Sequence, residues 1–229
     1  MALFVLIPGA AAGPWYWHLL AAELHERGHD VVAVDLPCDD DTAGLAEYAD
    51  AVVEAVGDRA DPILVAHSFG GFTAPLVCDR MPVALLVMLQ AQVPAPGETP
   101  GEWWGNTGYP QARQAQDARD GRDPDDETAL FFQDTPPALA AEAGTHTRAQ
   151  SATPFLAPWP LTAWPDVPTR FLLARDDRFL PAAYLRRIVR DRLGITPDEM
   201  PGDHCPMLGH PVELADRLEA YLTTGLRPR

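Results

Sequence analysis

A mostly parallel β-sheet with helices on both faces is the architecture this sequence predicts, and three observations predict it. Short apolar runs of strand length alternate along the chain with stretches of helical periodicity. One run, Leu64-Val65-Ala66-His67-Ser68-Phe69-Gly70-Gly71, breaks abruptly from a buried strand onto a serine and a glycine pair. The 229 residues suffice for one sizeable core, and α/β proteins of this length need not split.

Each element follows from its local pattern. Leu3 to Ile7 reads as a first buried strand, ended by Pro8-Gly9. Pro14 then opens a helical stretch with Trp17, Leu20, Ala21 and Leu24 on one face, closed by Gly28. Val31 to Val34 is the second strand. Between Thr42 and Gly57, Leu45, Tyr48, Ala49, Val52, Val53 and Val56 recur at amphipathic spacing. Ile63 to Val65 leads into the serine turn, and a helix follows to about Met81. Pro75 lies inside that helix and has no N–H for the carbonyl of Gly71, so a bend or a first turn that is not fully α-helical is expected. Val83 to Leu89, Phe171 to Ala174 and Ile195 to Met200 read as further strands. Helices are expected from Pro181 to Leu193 and from Pro211 onward, the latter with Leu214, Leu218, Tyr221 and Leu222 inward.

Residues 91–168 break this rhythm, holding half of the 24 prolines and four of the six tryptophans. The stretch is too long for a plain loop and too aromatic for a disordered linker. It is read as a helical lid inserted into a core made of residues 1–90 and 169–229, with the acidic run Asp120 to Glu127 as a solvated loop.

Composition excludes several classes of function. A net charge of −16 argues against nucleic acid and anionic membranes as partners. All 17 basic residues are arginine, which removes lysine Schiff bases, pyridoxal-phosphate attachment and lysine bases. Cys38, Cys78 and Cys205 are odd in number and in no metal-ligand spacing, so reduced thiols in a cytoplasmic setting and no metal are expected. The apolar N-terminus has no basic flank and meets Pro8-Gly9 too early for a signal or membrane segment.

The chemistry centres on Ser68. A serine is a weak nucleophile unless a tight strand-to-helix turn thrusts it outward, and that turn needs small residues two before and two after. Ala66 and Gly70 meet the need; the competing reading of Ser68 is a plain helix cap. An activated serine also needs a base and a carboxylate to orient it, and behind this type of turn they follow in the order acid, then histidine. Leu172-Leu173-Ala174-Arg175-Asp176-Asp177 runs from a strand into two carboxylates, of which Asp177 is preferred. Gly202-Asp203-His204-Cys205-Pro206 then supplies His204 ahead of the terminal helix. His210 reads as a cap residue, and His67 is expected to point away from the serine. His18, His25 and His29 read as surface or packing residues, whereas His146, in the lid, is placed to touch substrate.

These residues resemble an α/β-hydrolase-fold serine hydrolase. Phe4-Val5-Leu6-Ile7-Pro8-Gly9-Ala10 with Gly13-Pro14-Trp15 is similar to the plant methylesterase and hydroxynitrile lyase branch. The resemblance aligns Ala174 to Pro181 with the family's acid pattern, putting the acid at Asp177, and the spacing of His204 from Pro211 fits the family histidine. It departs at Pro8-Gly9, where relatives carry His-Gly. It implies an oxyanion hole of backbone N–H groups at Ala10 and Phe69, and no cofactor. Trp15, Phe155 and Trp159 are candidates either for pocket walls or for core packing. The lyases use a threonine and a lysine where this chain has Gly9 and Cys205, which favours hydrolysis of small-molecule carboxylic esters through an acyl-serine. Thioester or carbon–carbon hydrolysis on the same residues, and a ligand-binding protein on a hydrolase scaffold, remain the alternatives.

Overall fold

The computed structural model describes residues 1–121, 123 and 126–224. Six strands, β1 (Leu3–Ile7), β2 (Asp30–Ala33), β3 (Ile63–His67), β4 (Leu85–Leu89), β5 (Thr169–Ala174) and β6 (Asp198–Met200), form one sheet in the order β2-β1-β3-β4-β5-β6. Every pairing is parallel. The helices of the core are α1 (His18–Glu26), α2 (Leu45–Val56) and α3 (Gly70–Cys78). Between β4 and β5 lie α4 (Pro100–Asn106), α5 (Tyr109–Asp120), α6 (Glu127–Phe131) and α7 (Pro137–Thr145). Finally come α8 (Ala182–Leu193), α9 (Pro206–Gly209) and α10 (Pro211–Thr224).

Strand periodicity divides the interior in two. Val5, Ile7, Leu64, Ala66, Leu86, Met88, Phe171 and Leu173 face the core under α2, α3 and α8. The alternate residues Phe4, Leu6, Ile63, Val65, Leu85, Val87 and Leu172 face α1 and α10. Because both faces are covered, the central strands β1, β3 and β4 are buried along their whole length, whereas the edge strands β2 and β6 carry exposed Asp30 and Asp198.

Strand order places the site. The chain runs outward from β1 to β2, returns through α2 to β3 on the other side of β1, and then continues to β6. The direction reverses between β1 and β3, so the loops leaving their carboxyl ends splay apart and leave a crevice. Gly9–Ala10 and Ser68 are on those two loops.

Differences from the sequence expectations are local. A 3-10 turn, Pro14–Trp17, precedes α1. The helix after the serine ends at Cys78 instead of Met81, and β4 starts at Leu85 instead of Val83. Pro75 is accommodated by a tightened opening turn, in which Gly71 N–H donates to Ser68 O at 3.1 Å and Phe72 N–H to Phe69 O at 3.0 Å. The acidic run Asp120 to Glu127 lies partly outside the described residues; of the rest, Asp120 ends α5 and Glu127 begins α6. After α7 the chain returns over the sheet edge as a strap tied to the core. Arg148 pairs with Asp35 and, at 2.8 Å, with Asp39, while Ser151 N–H donates to Cys38 O at 2.7 Å. No helix among the described residues is long and apolar enough to cross a membrane.

Candidate active site

Ser68 stands where β3 turns into α3, at φ 51°, a left-handed conformation that costs a residue with a side chain about 1–2 kcal/mol. Packing around the turn holds it there. A Cβ on Gly70 would come within 2.8 Å of Pro8 O, and one on Gly71 within 2.0 Å of Gln92 O. A Cβ on Gly9 would lie 2.9 Å from Ser68 Cβ, so the β1 loop touches Ser68 only because Gly9 has no side chain.

His204 reaches Ser68 from the loop between β6 and α9. Its Nε2 is 3.1 Å from Ser68 Oγ, and its Nδ1 is 2.7 Å from Asp177 Oδ2. Asp177 is 3% exposed and His204 4%. Asp177 Oδ1 also accepts from the N–H groups of Phe179 at 2.6 Å and Leu180 at 3.0 Å. With its carboxylate fixed on both oxygens, Asp177 holds the imidazole with Nδ1–H toward the acid and Nε2 free to accept the serine proton. Asp176 is exposed and turns the other way, its Oδ2 accepting from Gly202 N–H at 3.3 Å. His210 lies outside the cavity against Asp134 at 3.3 Å.

Three supporting residues escaped the sequence reading. Gln90, fully buried just past β4, donates from Nε2 to Asp177 Oδ2 while its Oε1 accepts from Ala174 N–H at 2.9 Å. His67 does not simply point away: its Nε2 donates to the backbone carbonyl of His204 at 2.8 Å, and its ring lies 4.7 Å from the His204 ring. Burial, and secondarily the neighbouring His204, hold the His67 pKa well below the ordinary imidazole value, so the ring stays neutral and carries the proton this bond requires. Gln150, on the strap, accepts from Ala11 N–H at 2.9 Å and donates to Tyr48 Oη at 3.1 Å, fixing the loop that carries Ala10. A polar residue directly after an apolar strand was the available signal for Gln90; Gln150 had none.

The amides of Ala10 and Phe69 flank the serine, and neither donates to a protein acceptor among the described residues. Phe69 caps α3, so its N–H is among the unpaired donors at the positive end of that helix. Two free N–H groups beside a serine hydroxyl can receive a developing oxyanion. Ala10 and Phe69 line a cavity of about 350 Å³ together with Tyr16, Gln92, Trp104, Phe131, Phe155 and Phe179. Phe155 stacks on Phe69 at 4.4 Å, which puts it in the wall as the sequence reading allowed.

The other two candidates lie elsewhere. Trp15 stacks on His146 at 4.3 Å along a separate surface groove, which also removes His146 from the cavity. Trp159 is 1% exposed in the core, its indole N–H donating to Phe72 O at 3.1 Å. Aromatic character alone does not distinguish a wall from a core residue, and here the core won at Trp159. Cys205 borders the cavity, but burial pushes its thiol well above the ordinary value and leaves it protonated. Among the described residues no cluster of His, Cys, Asp or Glu could hold a metal ion.

Comparison with known proteins bears on the family and the fold. Methylesterase 7 of Arabidopsis thaliana is 38% identical over 104 residues, which are 40% of this chain and 40% of that protein, so the match spans about two fifths of the relative's length. Norfluorocurarine synthase 2 of a Strychnos species is 26% identical over 94% of this chain and 93% of its own. A solved extracellular α/β-hydrolase from a Paenibacillus species, said to share structural and functional homology with a tobacco salicylic acid binding protein, shares the fold. It superposes with a TM-score of 0.80 at 22% identity, covering 96% of this chain and 98% of that one. A model of the alpha/beta hydrolase family matches residues 4–217, reaching from β1 into α10, so this chain is a member of the alpha/beta hydrolase family.

Proposed function

We propose that this chain is a carboxylic-ester hydrolase acting on small molecules through an acyl-Ser68 intermediate. The observation that carries the reading is the unbroken relay from Asp177 through His204 to Ser68, at 2.7 and 3.1 Å. Ser68 Oγ attacks the ester carbonyl while its proton passes to His204 Nε2, and Asp177 stabilises the resulting imidazolium. The carbonyl oxygen, now negative, is held by the N–H groups of Ala10 and Phe69, a kind of contact worth about 3 kcal/mol each. His204 returns the proton to the departing alkoxide, and the alcohol leaves. Water enters and attacks the acyl-serine as His204 takes its proton, and the imidazolium then returns that proton to Ser68 Oγ as the C–O bond to serine breaks and the acid leaves.

The similarity to a methylesterase supports the ester as the bond cleaved. Gly9 and Cys205 in place of the lyase threonine and lysine support hydrolysis over cyanide chemistry. In this reading residues 91–168 serve as the lid, and the three free cysteines fit a cytoplasmic location. The test is turnover of short p-nitrophenyl esters by the wild type and by Ser68→Ala. Ser68-dependent release of p-nitrophenol is expected. Saturable ligand binding without turnover would replace the proposal with a receptor-like role, and turnover confined to thioesters would move it to thioester hydrolysis.

A further inference from the structure

We infer that Gln92 is a specificity-determining residue whose side-chain amide donates a hydrogen bond to a neutral oxygen acceptor, a ketone, ether or hydroxyl, that the substrate carries besides its ester. The inference rests on the esterase reading of Ser68. Gln92 is 2% exposed and lines the cavity, and its Nε2 has no hydrogen-bond partner. Two residues earlier, Gln90 has the same side chain and is paired at both ends of its amide, to Asp177 and Ala174. One glutamine is thus spent on positioning the acid, and the other borders the cavity with its amide nitrogen unpaired.

The backbone fixes where that donor sits. Gln92 N–H donates to Ser68 O at 3.0 Å, and Gln92 O occupies the space that a Cβ on Gly71 would need. The root of the side chain is therefore locked to the elbow, and its reach is set relative to the nucleophile. Around it the wall is apolar, with Phe69, Trp104, Phe155 and Phe179. The described lining holds no arginine, and its one carboxylate is Glu127, so nothing there favours an anionic substituent. A buried amide donor left unpaired is destabilised. A substrate oxygen at the right position supplies the missing bond, whereas an all-carbon substrate leaves the amide unpaired and is disfavoured in the same complex.

The test uses methyl 5-phenylpentanoate and its 3-oxo, 4-oxo and 5-oxo forms, with the wild type, Gln92→Met and Gln92→Leu. The readout is the ratio of kcat/KM for each oxo ester to that for the hydrocarbon ester. Comparing this ratio between proteins cancels the intrinsic reactivity of the esters. At one or more oxo positions the ratio is expected to fall about tenfold in both variants. A change below about threefold at every position overturns the inference, as does an equal loss on all four esters, which is the signature of a purely structural role. Thermal-shift binding of the same esters to Ser68→Ala provides the arm that does not depend on turnover. If the wild type cleaves none of them while Ser68→Ala still binds the oxo esters in preference to the hydrocarbon ester and Ser68→Ala/Gln92→Leu does not, the esterase reading fails and Gln92 keeps its donor role toward a bound ligand; equal binding of all four esters overturns that role too.

Discussion

Replacing Asp177 with asparagine changes one atom and reverses the logic of the relay. Asp177 accepts from His204 Nδ1, Gln90 Nε2, and the N–H groups of Phe179 and Leu180. An asparagine that keeps its carbonyl toward Phe179 and Leu180 turns its NH2 toward His204 and Gln90. The imidazole can then meet it only by accepting at Nδ1, which puts the proton on Nε2, facing Ser68 Oγ 3.1 Å away. The base is lost although the geometry survives, and the analogous substitution in a serine protease lowers kcat by about 10⁴. That corresponds to about 5 kcal/mol of lost transition-state stabilisation. The unpaired Gln90 amide adds about 1–3 kcal/mol of destabilisation, and each kcal/mol lowers Tm by about 2–4 °C in a chain of this size. Asp176→Asn removes only a bond to Gly202 N–H and should stay within about tenfold of wild type. Steady-state kinetics on one p-nitrophenyl ester, with circular dichroism melts of all three proteins, measures both effects. Near wild-type turnover by Asp177→Asn, or inactivity of Asp176→Asn, would refute the assignment of the acid.

Three other outcomes follow from named contacts. Gly71→Ala places a methyl 2.0 Å from the Gln92 carbonyl and should cost about 1–3 kcal/mol or more, read as a lower Tm together with reduced turnover. His67 has a folded-state pKa well below its unfolded value of 6.5, so below that pH the unfolded chain binds a proton that the folded chain refuses. Stability should therefore hold above pH 6.5 and fall below it by up to about 1.4 kcal/mol per pH unit; a pH dependence between 7.5 and 5.5 that is undiminished in His67→Gln would rule out this origin. Mandelonitrile should release no cyanide above the uncatalysed rate, since Gly9 and Cys205 stand where the lyases have threonine and lysine; Ser68-dependent cyanide release would show otherwise.

Legibility of the fold in the sequence depended on how local the cause was. The central strands announced themselves as apolar runs, since burial on both faces leaves no polar alternation to confuse with a loop, whereas β6, Asp198-Glu199-Met200, carries no such run. The elbow was equally plain, because its small residues Ala66, Gly70 and Gly71 lie within three positions of Ser68, although the carbonyls that Gly70 and Gly71 make room for, on Pro8 and Gln92, are distant in sequence. Asp177 and His204 could be found through chain order and through spacing to Pro181 and Pro211. Placement of the aromatic side chains was another matter. Phe155, Trp15 and Trp159 look alike as letters, yet one walls the cavity, one lines an outer groove and one is core. Gln150 meets Ala11 across 139 residues, and His67 meets His204 across 137, contacts that no window of local pattern contains. What stayed hidden was the set of groups that hold the catalytic residues, because only the tertiary fold brings them there.

The most direct test of the account is to treat the protein with a fluorophosphonate and locate the adduct by peptide mass mapping, with Ser68→Ala alongside. The reagent needs a serine activated by a neighbouring base and a site that holds the phosphonyl oxygen, which are the two properties claimed for Ser68, His204 and the Ala10 and Phe69 amides. The account predicts one stoichiometric adduct on the peptide that contains Ser68, loss of esterase activity in step with labelling, and no adduct in Ser68→Ala. An adduct on Cys205 or on any other residue, or an unlabelled protein that still turns over esters, would contradict it.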